Sequence, residues 1–299
     1  MIKIGMIGLD TSHAISFTKL LNDPANEQHI AGGKVTVAYP GGSPDFALSI
    51  DRVAGYTRDM QEQFGVKIAD TPEAVAAECD AILLESCDAR VHLEQFRRIA
   101  PYGKPVFIDK PLALRGEEAV EIGRIAAEHK VPIMSSSSLR YSRTVKAAIA
   151  GEARATVLGA DVQGPINIEP TQSYYFWYGI HLADTLFAIM GKGCKEVTAV
   201  STEGHDVVTG KWSDGRIGTM RGGRGGVYPF GATIFQPERT IHCDSQGEGF
   251  PYYADMLQDV MAMFKSGKPA LDWEETVEVI RFLEAAEESR RKGVTVQLD

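Results

Sequence analysis

Short apolar runs alternate with amphipathic stretches through the first half of the chain. The runs Ile2–Ile7, Val35–Ala38, Ala81–Leu84, Pro105–Ile108 and Val131–Met134 have the length and apolarity of buried strands. Helical periodicity falls between them, near His13–Leu21, Val53–Phe64, Ala89–Ile99 and Glu117–His129. This rhythm predicts a parallel sheet with helices on both faces. Pro40-Gly41-Gly42-Ser43-Pro44 is a loop, long for a strand-to-helix link in such a unit.

The second half has a different pattern. A helix over Ile180–Met190 precedes strand candidates Glu196–Val200, Asp206–Trp212, Arg216–Arg221, Gly231–Phe235 and Arg239–Cys243. Helices Tyr253–Lys265 and Trp273–Arg290 and a short strand, Val294–Leu298, close the chain. Consecutive strands with short polar turns, such as Ser213-Asp214-Gly215, predict an open, mainly antiparallel sheet. Gly222–Gly226 is expected to be a flexible hairpin loop within that sheet. The predicted fold class is α/β: a doubly wound domain over 1–120, then an α+β domain over 121–299. The break falls between Gly116 and Tyr141.

Composition narrows the functional classes. The chain has 299 residues and a net charge of -9, which argues against nucleic-acid or anionic-membrane partners. No apolar run approaches a transmembrane length, and no leader peptide is expected ahead of Ile2. Cys79, Cys87, Cys194 and Cys243 have no paired ligand spacing, so reduced core thiols in a cytoplasmic protein and no bound metal are expected.

Lys110 follows the apolar run Val106–Ile108 and precedes Pro111, which cannot extend a strand. It therefore stands at the carboxyl end of a parallel strand, where open α/β sheets place their ligands. The bland alternative is a solvated lysine at a strand end. The turn after the first strand, Gly8-Leu9-Asp10-Thr11-Ser12-His13, occupies the address of the dinucleotide fingerprint G-x-G-x-x-G. It keeps the first glycine but puts Asp10 and His13 at the second and third. A carboxylate facing a phosphate there costs up to about 4 kcal/mol at about 4 Å with an effective dielectric of about 20. Asp10, Thr11 or Ser12 can instead cap the helix, and the Thr11 and Ser12 hydroxyls can donate to a phosphate. The acid expected at the end of the second strand is missing after Tyr39, which leaves NAD and NADP both open.

His181 and Asp184 lie three apart on a predicted helix and share a face. Five aromatics, Tyr174 to Tyr178, precede them and form a candidate stacking wall for a sugar ring or nicotinamide. The alternative is an aromatic core segment with a hydrogen-bonded histidine. Ser135–Ser138, four small hydroxyls after a strand, read most simply as a tight backbone approach.

These pieces resemble the Gfo/Idh/MocA oxidoreductases, the family of glucose–fructose oxidoreductase and inositol dehydrogenase, in order over essentially the whole chain. Ile108-Asp109-Lys110-Pro111 is similar to the family's Glu-Lys-Pro motif, and Gly179-Ile180-His181-Leu182-Ala183-Asp184 to its Gly-x-His-x-x-Asp helix. His92 resembles the histidine that opens the helix after the fourth strand. The resemblance implies a Rossmann-type first domain that binds NAD or NADP through Gly8, Asp10, Thr11, Ser12, His13, Tyr39, Ser86, His92, Asp109 and Lys110. It implies Lys110, His181 and Asp184 as catalytic residues, with Lys110 polarising a hydroxyl and His181 taking its proton. Asp109 would orient Lys110. Arg140, Trp177, Tyr178, His181 and Lys110 would meet a sugar-like substrate, with Arg140 and Tyr141 lining a cleft, in a homo-oligomer (dimer or tetramer).

The departures from the family pattern are Asp10, His13, the missing ribose acid, and Trp177 where family dehydrogenases often carry an aspartate. The expected activity is NAD(P)-dependent oxidation of a secondary alcohol of a sugar, polyol or related compound. The alternatives are a sugar lyase, hydratase or epimerase with absent or tightly held nucleotide, and a non-enzymatic sugar sensor.

Overall fold

The computed structural model describes residues 1–246 and 251–298. Six parallel strands make the first sheet: β1 (Ile2–Ile7), β2 (Gly33–Tyr39), β3 (Lys67–Ile68), β4 (Ala81–Leu84), β5 (Val106–Ile108) and β6 (Ile133–Ser135). Their order is β3-β2-β1-β4-β5-β6. The chain thus starts in the middle, winds to one edge, then crosses back and winds to the other. Every residue of β4 and β5 is buried, which explains their unbroken apolar runs. Helices α1 (Ser12–Asn22), α2 (Ala47–Phe64), α3 (Pro72–Glu78), α4 (His92–Ile99) and α5 (Gly116–His129) connect the strands. The direction of winding reverses between β1 and β4, so their carboxyl ends border the crevice where such sheets bind ligands.

The second sheet has seven strands: β7 (Gly159–Pro165), β8 (Cys194–Ser201), β9 (His205–Trp212), β10 (Ile217–Gly223), β11 (Gly231–Gln236), β12 (Arg239–Asp244) and β13 (Val296–Gln297). Their order is β12-β11-β7-β10-β9-β8-β13. All pairs are antiparallel except β7 with β10. Strand β7 is absent from the sequence expectation because two glycines, a proline and an aspartate dilute its strand character. Its presence corrects the hairpin reading of Gly222–Gly226. Strands β10 and β11 are not neighbours, so this segment crosses over the end of β7.

The remaining helices are α6 (Arg143–Ala148), α7 (Gly179–Met190), α8 (Pro251–Ser266) and α9 (Trp273–Lys292). Helix α7 buries every residue except His181. It lies against β7 and β10, where Gly164 and Gly218 make room: a Cβ on them would come within 2.7 Å of Leu182 and 3.0 Å of Leu186. No helix among the described residues is long and apolar enough to cross a membrane.

Two compact units result. One comprises Met1–Ala113, Glu117–Ser136 and Tyr253–Trp273; the other comprises Leu114–Gly116, Ser137–Tyr252 and Glu274–Asp299. The division differs from the expected break at residue 120. Strand β6 pairs with β5, which ties it and the preceding α5 to the parallel sheet. A later segment containing most of α8 returns to the same unit.

Candidate active site

In the first unit, three loops leave the carboxyl ends of β1, β4 and β5 at Gly8, Glu85 and Asp109. Gly8 has φ +94°, and a Cβ there would lie 2.3 Å from the Ser86 backbone nitrogen. Glycine is therefore required by the approach of the β4 loop as well as by the turn. The Gly8 N–H donates to the Tyr39 carbonyl at 2.9 Å. Thr11 is the N-cap of α1 and accepts from the His13 N–H at 3.4 Å, while Ser12 is exposed. The Ser86 hydroxyl donates to Gln95 at 2.9 Å.

Asp10, at the second glycine position, is 1% exposed. One carboxylate oxygen accepts the Cys87 N–H at 3.0 Å and the other the Ser49 hydroxyl at 2.5 Å. Ser49 in turn accepts the Ser43 N–H at 2.9 Å. The carboxylate faces inward and ties its own turn to the β4 loop and to the first turn of α2, so it adds no exposed charge at the start of α1. With both Asp10 oxygens bonded inward, the helix end presents the exposed Ser12 and the Thr11 cap to a nucleotide phosphate, a donor set that fits one.

His13 is nearly buried and stacks on Phe17 with ring centroids 4.8 Å apart. Its Nδ1 lies 2.9 Å from Asp109 Oδ2 and 3.8 Å from Glu85 Oε2, and its Nε2 lies 3.3 Å from the Tyr253 hydroxyl. Burial opposes ionisation of Asp109, but the neighbouring His13 and Lys110 outweigh it and hold its carboxyl at about 2. Glu85 is fully buried and neither of its oxygens has a hydrogen-bond partner among the described residues. Burial pushes its pKa well above the usual carboxylate range. Asp109 and Asp10 push the same way, and Lys110 opposes them. Lys110 is half-buried and joined to Pro111 by a cis peptide bond. The family resemblance puts His92 at the cofactor. It is wholly buried, with Nδ1 3.1 Å from the Leu112 carbonyl and Nε2 2.7 Å from that of Ser86, so it fastens two loops together.

In the second unit, His181 projects from the first turn of α7, and its Nδ1 lies 2.7 Å from Ser137 Oγ. That oxygen also accepts the Leu139 N–H at 3.1 Å, and the Ser137 N–H donates to Asp184 Oδ2 at 2.7 Å. Ser137 thus links His181 to Asp184. Asp184 Oδ1 accepts from Arg140 Nε at 3.1 Å, and both Arg140 terminal nitrogens donate to Glu275 at 2.7 Å. Arg154 reaches the other Glu275 oxygen at 3.1 Å. Burial raises the Asp184 pKa despite the opposing Arg140 charge.

Two of the expected site residues are buried here. Arg140, expected at the substrate, is buried with its guanidinium committed to two carboxylates. Asp184, expected to be catalytic, is buried and holds the Ser137 backbone and Arg140 in place. The aromatic stretch also divides. Tyr175 and Phe176 enter the core, Tyr174 lies under Arg290, and Trp177 and Tyr178 are half-buried. The Tyr178 ring meets His181 edge-on at 5.6 Å.

Sequence reading passed over Glu85, Ser49, Ser137 and Glu275. Glu85 carries a mark like the one that singled out Lys110, a charged residue just past the end of a buried apolar strand. Ser137 stands inside the serine run as the cap of a 3-10 turn over Ser138–Tyr141. Ser49 and Glu275 join their networks only through the tertiary fold.

Residues 2–137 match the model of an oxidoreductase family described as having an NAD-binding Rossmann fold. The first domain is that of the Gfo/Idh/MocA family. No curated protein matches the chain. Among solved structures, myo-inositol 2-dehydrogenase from Lactobacillus plantarum is similar with a TM-score of 0.82 at 17% identity, covering 100% of this chain and 99% of that one. A probable dehydrogenase from Thermotoga maritima is similar with a TM-score of 0.79 at 20% identity, covering 99% and 98%. GenD2 of gentamicin A biosynthesis, in complex with NAD, has a TM-score of 0.79 at 18% identity, covering 100% and 96%. These likenesses extend the shared fold beyond the Gfo/Idh/MocA domain to the whole chain. Within that domain, Lys110 at the end of β5 and the inward-facing Asp10 are the features that bear on chemistry.

Proposed function

We propose that the protein is an NAD(P)-dependent oxidoreductase acting on a secondary alcohol of a sugar, polyol or related polyhydroxy compound. The observation that carries this reading is His181 held at Nδ1 by Ser137, in a chain whose first domain belongs to an NAD-binding oxidoreductase family. Ser137 Oγ already accepts the Leu139 N–H and has a second lone pair for an Nδ1–H. In that tautomer Nε2 is the basic atom and takes the substrate hydroxyl proton. The Lys110 ammonium polarises the hydroxyl and stabilises the developing alkoxide, while Asp109 keeps a fixed negative charge beside it. Exposed Ser12, at the N-terminus of α1, is the donor for a cofactor phosphate. The nicotinamide, when bound, accepts the hydride.

The test is calorimetric titration with the oxidised and reduced forms of NAD and NADP, followed by a polyol and sugar panel read by nicotinamide absorbance. The inositols named for the structural neighbours come first in that panel. We expect one nicotinamide form to bind. Lys110→Ala and His181→Ala should each lower kcat/KM by about 10²-fold or more while keeping that binding. Absence of all nucleotide binding overturns the reading. Turnover of a keto-sugar without an absorbance change would favour the lyase or epimerase alternative.

A further inference from the structure

We propose that His13, Glu85 and Asp109 form a site for one divalent transition-metal cation beside Lys110. The three side chains come from the first turn of α1 and from the loops after β4 and β5, yet one donor atom from each lies within 4.8 Å of the others, and all three residues are buried. Glu85 is the independent pointer. It is 0% exposed, has no hydrogen-bond partner at either oxygen among the described residues, and brings Oε2 to 3.8 Å from His13 Nδ1. A buried carboxylate without a donor is costly unless a cation or a proton compensates it.

The spacing suits a cation. Metal–donor distances of about 2.1 Å at a tetrahedral centre place donors about 3.4 Å apart. The observed His13–Asp109 and His13–Glu85 distances, 2.9 and 3.8 Å, bracket that value. Coordination through Nδ1 leaves His13 Nε2 to donate to the Tyr253 hydroxyl at 3.3 Å, the outer-shell contact that fixes a ligating imidazole. Asp10 already holds Cys87 and Ser49, so it is no ligand. One imidazole with two carboxylates selects Zn²⁺, Mn²⁺, Fe²⁺ or Co²⁺ over Ca²⁺. Three protein donors leave a coordination position for water or a substrate oxygen. The ligands are dispersed over residues 13, 85 and 109, so no spacing motif marks them.

The test uses the full-length protein after dialysis against a chelator, with binding read independently of turnover. Titration with Co²⁺ should saturate at one equivalent per chain and develop visible ligand-field bands. Zn²⁺ and Mn²⁺ should compete for the site. Glu85→Gln and His13→Asn should each weaken binding at least about tenfold. No saturable binding of any of the three ions overturns the proposal, as does unchanged affinity in a folded E85Q protein. If E85Q does not fold, NMR of the wild-type chain decides: Co²⁺ must shift the His13 ring resonances, and undisturbed resonances overturn it. Loss of an infrared carboxylic-acid band in E85Q, without metal binding to the wild type, would assign Glu85 a proton instead. The metal site can fail while nucleotide binding stands, and the reverse.

Discussion

The Asp10 carboxylate accepts the Cys87 backbone N–H at 3.0 Å, so the residue that breaks the glycine fingerprint serves as a tie between loops. Restoring the fingerprint with Asp10→Gly would strand the Cys87 N–H and the Ser49 hydroxyl. The expected cost is about 3 kcal/mol, read as a lower urea midpoint, with no gain in nucleotide affinity. Tighter nucleotide binding in D10G would contradict the inward orientation.

Ser137 is the positioning residue for His181. Ser137→Ala keeps the backbone donor to Asp184 but removes the hydroxyl at Nδ1. A drop in kcat of about tenfold with little change in KM is expected, together with a shifted pH–rate profile. Ser137→Thr should recover part of the loss; a variant that changed only thermal stability would make the contact purely structural.

Arg140 joins Asp184 and Glu275 in a buried cluster. Removing the cation leaves two carboxylates facing each other. Arg140→Met should therefore destabilise the protein by about 3–5 kcal/mol, and the double variant with Glu275→Gln should lose less than the sum of the single variants. Denaturant titration of the four proteins completes the cycle.

All four cysteines, Cys79, Cys87, Cys194 and Cys243, are buried thiols. Burial pushes the Cys79 thiol up to about 11 and Cys194 up to about 12, and it raises Cys87 further. Thiol-exchange reagents should find no reactive cysteine in the native protein at pH 8, and four in urea. Because the folded pKa values lie above the ordinary 9.0, the unfolded chain ionises first. Stability should fall as pH rises from about 9 towards 11.

The parallel sheet was legible because buried strands are continuous apolar runs, and β1 and β4 have the bounds their runs suggest. Strand β7 was not, since its pairing comes from its neighbours β10 and β11 and not from its own residues. The same distinction holds in the site. Lys110 and His181 stand out through their immediate surroundings. Glu85, Ser49 and Glu275 gain meaning only from atoms far along the chain, such as Asp10 for Ser49, 39 residues away. The inward turn of Asp10 is likewise a tertiary fact, and the sequence contrast between a phosphate clash and a cap did not include it.

The segment Tyr253–Trp273 belongs to the unit that begins at Met1. During synthesis the opening unit therefore waits for its last piece until the strands of the second sheet up to β12 have been made. A fragment cut at Ser136 would contain all six parallel strands but lack the late segment that packs with them. Such an arrangement makes the Ser137–Tyr252 part of the second unit, in effect, an insertion that the first must accommodate before its own assembly is complete.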